Sequence, residues 1–132
     1  MIAIILIAGF LGYSAAPPVT GPAAGIAPAQ GVEYTLTTLD AEPFAATATL
    51  TIMADGGVAG AAPCNRWNGT LTGEWPDFTL GPVISTRATC PDQAAEDAFL
   101  RAMQAVTLGR TEGDRLFLYA PDGTRLGFVV AR

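Results

Sequence analysis

The chain has 132 residues, half of them hydrophobic, with seven basic and twelve acidic side chains and a formal net charge of −5. Every basic residue is Arg and His is absent. No basic cluster marks a nucleic-acid footprint, and His-dependent catalytic triads, Cys–His dyads and most zinc sites are excluded. The length suits one domain able to bury its own core.

The amino end is apolar from Ile2 to Leu11 and then turns to small residues and proline. A spanning helix needs about 20 apolar residues. This run instead matches the core of a secretory signal peptide, although no positive residue precedes it. Residues 1–16 therefore read as a signal-peptide-like segment, with an uncleaved short anchor as the alternative. No Cys lies in or just after the run, so the usual lipid-attachment signal is missing. Residues 17–31 are rich in Pro, Ala and Gly and read as a linker. Residues 32–132 form the domain. No charged side chain precedes Glu33, so the domain carries the whole net charge.

From Val32 onward the dominant period is two. Residues 34–39 (YTLTTL) predict a first strand. Thr47, Thr49 and Thr51 alternate with Ala48, Leu50 and Ile52, which predicts a second strand with a wet and a dry face. Asp55-Gly56-Gly57 supplies a hairpin turn. A Gly/Ala-rich strand then returns towards Pro63 and Cys64, and Pro63 suggests its end. A further pair flanks Trp75-Pro76. Residues 90–106 switch to helical spacing, with Ala95, Ala98, Phe99, Ala102, Met103 and Val106 on one face. Thr89 or Cys90 is placed to cap that helix, with Pro91 in its first turn. Asp92, Glu96 and Asp97 lie near its positive end, and Arg101 stands four residues after Asp97. Two or three strands close the chain around the turns Glu112-Gly113-Asp114 and 120–124 (APDGT). The expected fold class is α+β: a curled, mostly antiparallel β-sheet of six to eight short strands packed on one α-helix.

Cys64 and Cys90 are the only cysteines. In an exported chain such a pair reads as a disulfide, joining the end of a strand to the start of the helix. Closing a loop of about 25 residues is worth about 3.5 kcal/mol in the chain-entropy account. A free or redox-active thiol at Cys90, near a helix amino terminus, is the alternative, and metal ligation is a further one. No His is present to activate a thiol, and the C-x-x-C spacing of redox enzymes is lacking.

Asn65, Arg66 and Trp67 beside Cys64 are candidate binding residues. The competing structural reading has Asn65 in a turn, Arg66 paired with a carboxylate and Trp67 in the core. Ser85, Thr86 and Arg87 form a polar loop ahead of the helix and are a second candidate group, suited to an anion at the helix terminus. Glu74 and Asp77, on either side of Trp75-Pro76, are a carboxylate pair of the kind glycoside hydrolysis uses, but turn carboxylates are usually solvated. No catalytic residue, metal ligand or cofactor site is assigned. Asn68-Gly69-Thr70 reads as a turn.

Four stretches together resemble the META domain family, of the bacterial heat-shock-protein HslJ type. They are PCNRWNGT (63–70), LGPVISTRATCP (80–91), the helix EDAFLRAM (96–103) and GDRLFLYAPDGTRLGF (113–128). The resemblance covers about Val32 to Val130. Ala62-Pro63 stand before the cysteine where the family usually has Gly. The resemblance implies a non-enzymatic domain of the bacterial envelope linked to heat stress and antibiotic tolerance. The expectation is a monomer exported to the periplasm or cell envelope, binding an envelope protein or a small apolar ligand, without nucleic acid. Membrane contact is expected only through the N-terminal segment if that is uncleaved. A membrane-anchored accessory module and a thiol-dependent enzyme are the alternative functions.

Overall fold

Alternating apolar and polar side chains build a sheet whose dry face curls around one helix among the described residues. The computed structural model describes residues 27–131; the signal-peptide-like segment and most of the linker lie outside them. The strands are β1 (Glu33–Leu39), β2 (Glu42–Pro43), β3 (Thr49–Ile52), β4 (Gly57–Ala61), β5 (Arg66–Thr72), β6 (Thr79–Leu80) and β7 (Ile84–Ser85). Helix α1 (Gln93–Ala105) follows, then β8 (Leu108–Glu112), β9 (Arg115–Tyr119) and β10 (Arg125–Val130). Every pairing is antiparallel. The sheet order is β6-β5-β4-β3-β1-β10-β9-β8, with β2 added on β1 and β7 on β5. The ends of that path meet: Asp77 bridges to Leu108, Phe78 N–H donates to Thr107 O, and Gly109 N–H donates to Pro76 O. The expected α+β class and curled sheet are therefore present, with ten strands because three are only two residues long.

The core fills the curl. Tyr34, Leu36, Leu50, Trp67, Leu116, Leu118, Leu126 and Phe128 point inward from the strands, and α1 adds Phe99, Ala102, Met103 and Val106. Each large apolar side chain so buried contributes about 1.5–3 kcal/mol. Phe99 meets the Trp67 ring edge-on at 5.7 Å and lies 6.4 Å from Phe44. Trp75, preceding a cis bond to Pro76, stacks on Phe78 at 5.9 Å and covers Gly109. A Cβ at Gly109 would stand 2.0 Å from the Trp75 ring, so only Gly admits the indole there. Between Leu50, Ile52, Val58, Trp75, Met103 and Leu116 the packing leaves only about 10 Å³ of apolar void. That is at the lower limit for even one water.

Several local expectations change. Asn68-Gly69-Thr70, read as a turn, lies inside β5, where the three residues pair with Ala59, Val58 and Gly57. Thr49 is buried rather than on the wet face, because its hydroxyl accepts the Ala61 N–H at 2.9 Å and its carbonyl accepts the Trp67 indole N–H at 3.0 Å. Neither Thr89 nor Cys90 caps the helix: the N-cap is Asp92, with no side-chain capping bond. Asp97 accepts from Gln93 Nε2 at 3.1 Å in place of the expected pairing with Arg101. In the last turn, Asp122 accepts the Thr124 N–H at 2.9 Å, and this backbone hydrogen bond holds its carboxyl below the usual carboxylate range. Ahead of β1, Pro28 is buried and Gly31 N–H donates to Ile52 O.

Candidate functional site

Both candidate groups converge on the amino end of α1. Cys64 and Cys90 form a disulfide with Cα atoms 5.6 Å apart, in the usual span for such a bridge. It joins the loop after β4 to the approach to the helix. A second, non-covalent link runs beside it. Glu96, in the first turn of α1 and 2% exposed, accepts the Cys64 N–H on Oε1 at 2.7 Å and the Asn65 amide on Oε2 at 2.6 Å. Gln93 Nε2 approaches Oε2 at 3.5 Å.

Asn65 is the hub of this cluster. It is 8% exposed, and its Nδ2 donates both to Glu96 and to Ala88 O at 2.8 Å. Its Oδ1 accepts from Thr86 Oγ1 at 2.8 Å and from Ala88 N–H at 2.7 Å. The amide thus uses two donors and two acceptor sites within the protein, the full capacity of an Asn side chain. Thr86 Oγ1 also accepts the Arg66 N–H at 3.2 Å, and Thr86 N–H donates to Arg66 O. The 86–88 segment is therefore stitched to residues 65–66 along its length.

The remaining candidates divide between core and surface. Trp67 is 1% exposed and belongs to the core. Ser85 is half-buried, opposite Trp67 in the β5–β7 register. Arg66 and Arg87 are exposed, and among the described residues neither guanidinium has a carboxylate partner. Arg66 therefore does not make the expected ion pair. Ile84, next to Ser85, is 61% exposed. Thr86, Arg87, Gln93, Asp97 and Leu100 line an open depression of about 320 Å³ above the buried cluster. Gln93 Oε1 is buried there without a partner. Glu74 and Asp77 are both exposed, at the rim of a separate open groove around Trp75-Pro76.

Chemically, the cluster is built to hold two chain segments in register. Both Glu96 oxygens and both Asn65 polar atoms are occupied by protein donors and acceptors, and the Thr86 hydroxyl proton lies on Asn65. A general base must reach the proton it removes, and these groups are directed at one another. Among the described residues, no group of three or more His, Cys, Asp or Glu side chains is placed to hold a metal ion. Nor is any helix there long and apolar enough to cross a membrane.

Glu96 is the residue that sequence reasoning missed. With Phe99, Met103 and Val106 it continues the buried stripe at intervals of three, four and three. From sequence it is placed only near the positive end of the helix. A carboxylate in phase with an apolar stripe was the available signal.

The META domain family model matches residues 27–132. No sequence among the curated proteins matches the chain. Among solved structures, an NMR structure of a protein from Burkholderia xenovorans has a TM-score of 0.64 at 20% identity, covering 87% of this chain and 99% of that one. A crystal structure of a duf4847 family protein from Bacteroides vulgatus has a TM-score of 0.54 at 16% identity, covering 62% of this chain and 57% of that one. At these identities the likeness concerns the fold.

Proposed function

The chain belongs to the META domain family, and on that premise we propose that it is a non-enzymatic domain of HslJ type, exported to the periplasm or cell envelope. It supports envelope maintenance or stress tolerance by binding another envelope protein through its surface. The observation that carries this reading is the ledge from Ile84 to Arg87. It presents an apolar side chain and, with Arg66, two guanidinium groups unpaired among the described residues, on a backbone pinned by the disulfide, Asn65 and Glu96. Binding costs less when the presenting segment is already ordered, and exposed Arg beside an apolar contact is a common composition for binding hot spots. The filled interior favours a protein over an enclosed apolar ligand. A disulfide is compatible with an oxidising compartment.

The test is capture from the host envelope with the tagged full chain and an Ile84→Asp/Arg87→Glu variant. A partner held by the wild type and lost by the folded variant supports the reading. Equal retention by both removes the ledge from it.

A further inference from the structure

Arg110, Arg115 and Arg125 are far enough apart in sequence to look unrelated, yet they stand on three adjacent strands. Leu116, Leu118, Leu126 and Phe128 point into the core, so the intervening residues of β9 and β10 face outward. The register then sets Arg110 across from Phe117, Arg115 across from Glu112 and Arg125 across from Tyr119. Three of the seven arginines of an acidic chain thereby share one outer face. We propose that this face is a second binding site, independent of the Ile84–Arg87 ledge, and that its ligand is an acidic peptide segment of a partner protein.

Geometry supports a site rather than a chance grouping. The Arg110 guanidinium lies 5.0 Å from the Phe117 ring centre and 3.3 Å from Glu112, so it is held in place before any ligand arrives. Between it and Arg125 runs an open trough of about 320 Å³, lined by Thr38, Ala41, Phe117, Tyr119 and Gly127. A Cβ at Gly127 would stand 2.5 Å from Thr38 Oγ1, so a larger residue there would have to displace the Thr38 hydroxyl. Ala41 at the rim, and Asp40 before it, have left-handed geometry at φ 67° and 54°. That conformation costs about 1–2 kcal/mol at Ala41. Paired bonds hold it: Asp40 N–H donates to Arg125 O, and Arg125 N–H donates to Asp40 Oδ1 at 3.0 Å.

Charge selects the class of ligand. Glu112 is engaged by Arg110, and Asp40 by the Arg125 backbone, which leaves the Arg115 and Arg125 guanidinium groups without a carboxylate among the described residues. Guanidinium forks bind carboxylates best. Arg110 covers the Phe117 ring, which removes that ring as a stacking platform for a nucleobase. β9 and β10 are each paired on both sides, so a peptide over them lies across the face with its side chains towards the arginines.

The experiment uses the purified full chain and an oligoglutamate peptide as probe, followed by fluorescence anisotropy at low and moderate salt. Oligolysine, heparin and single-stranded DNA serve as comparisons. The expected result is oligoglutamate binding that weakens with salt and falls about tenfold or more in R110E/R125E. In R66E/R87E it is retained. If R110E/R125E does not fold by circular dichroism, R110Q/R125Q replaces it, with the same direction expected. No oligoglutamate binding, equal loss in both variants, or tighter binding of heparin or DNA overturns the proposal. Because no envelope partner is needed, failure of the ledge reading leaves this result intact.

Discussion

The Glu96 carboxylate receives the backbone N–H of Cys64, 32 residues earlier in the chain, at 2.7 Å. The same peptide position thus carries both the disulfide and a buried charged hydrogen bond. Glu96→Ala leaves the Cys64 N–H and one Asn65 donor buried without an acceptor. The expected loss is about 3 kcal/mol of stability, as for breaking other buried charged pairings. Urea denaturation measures it. Glu96→Gln does not restore the loss, since its amide turns a donor towards one of two donors. A loss below about 1 kcal/mol contradicts this role.

Asn65→Asp places a carboxylate where Asn65 Nδ2 now stands, 2.6 Å from Glu96 Oε2. Repulsion acts while both groups are ionised. It is relieved on acidification once the pair takes up one proton, which like-charge crowding brings about above the ordinary carboxylate range. The melting temperature of the variant relative to wild type is therefore lowest at neutral pH and recovers on acidification. A deficit independent of pH contradicts the geometry.

Iodoacetamide is expected to label neither cysteine of the native protein without prior reduction. Reduction should lower stability by about 3.5 kcal/mol while leaving the sheet folded. The same treatment should cost more in E96A, because the two links hold one loop. A coupling of about 1 kcal/mol is expected from the double-mutant cycle. Simple additivity would show that the links act independently.

Gly60→Ala would bring a Cβ to 1.9 Å from Thr49 O and 3.0 Å from the Trp67 indole nitrogen. The indole must then leave its acceptor. A loss of about 3 kcal/mol or more is expected, with a red shift of Trp fluorescence. Gly113→Ala meets nothing within 4 Å and has only its φ of 59° against it, so about 1 kcal/mol suffices there. Equal effects at both positions would contradict the packing around Trp67.

Local rules carried much of the fold. The period-two segments, the helical stripe through Phe99 and Met103, and the glycine turns need only near neighbours to be recognised. Asn65 is different: its partners Ala88 and Glu96 lie 23 and 31 residues away, so its structural role follows only from the closed sheet. The same holds for Trp75 over Gly109 and for Arg110, Arg115 and Arg125, which strand register brings to one face. Glu96 is in phase with Phe99, but its role as an acceptor follows only from donors at Cys64 and Asn65, 32 and 31 residues away.

The proposed recognition by the outer surface depends on an inside that admits nothing. The direct measurement is titration of the native chain with an apolar fluorescent probe such as anilinonaphthalene sulfonate, with two-dimensional NMR reporting on Leu50, Met103 and Leu116 around the void. The account predicts no saturable binding and no shift of those core resonances. Stoichiometric uptake that shifts them would show that the curl opens to a ligand, and recognition would then have to be placed within it.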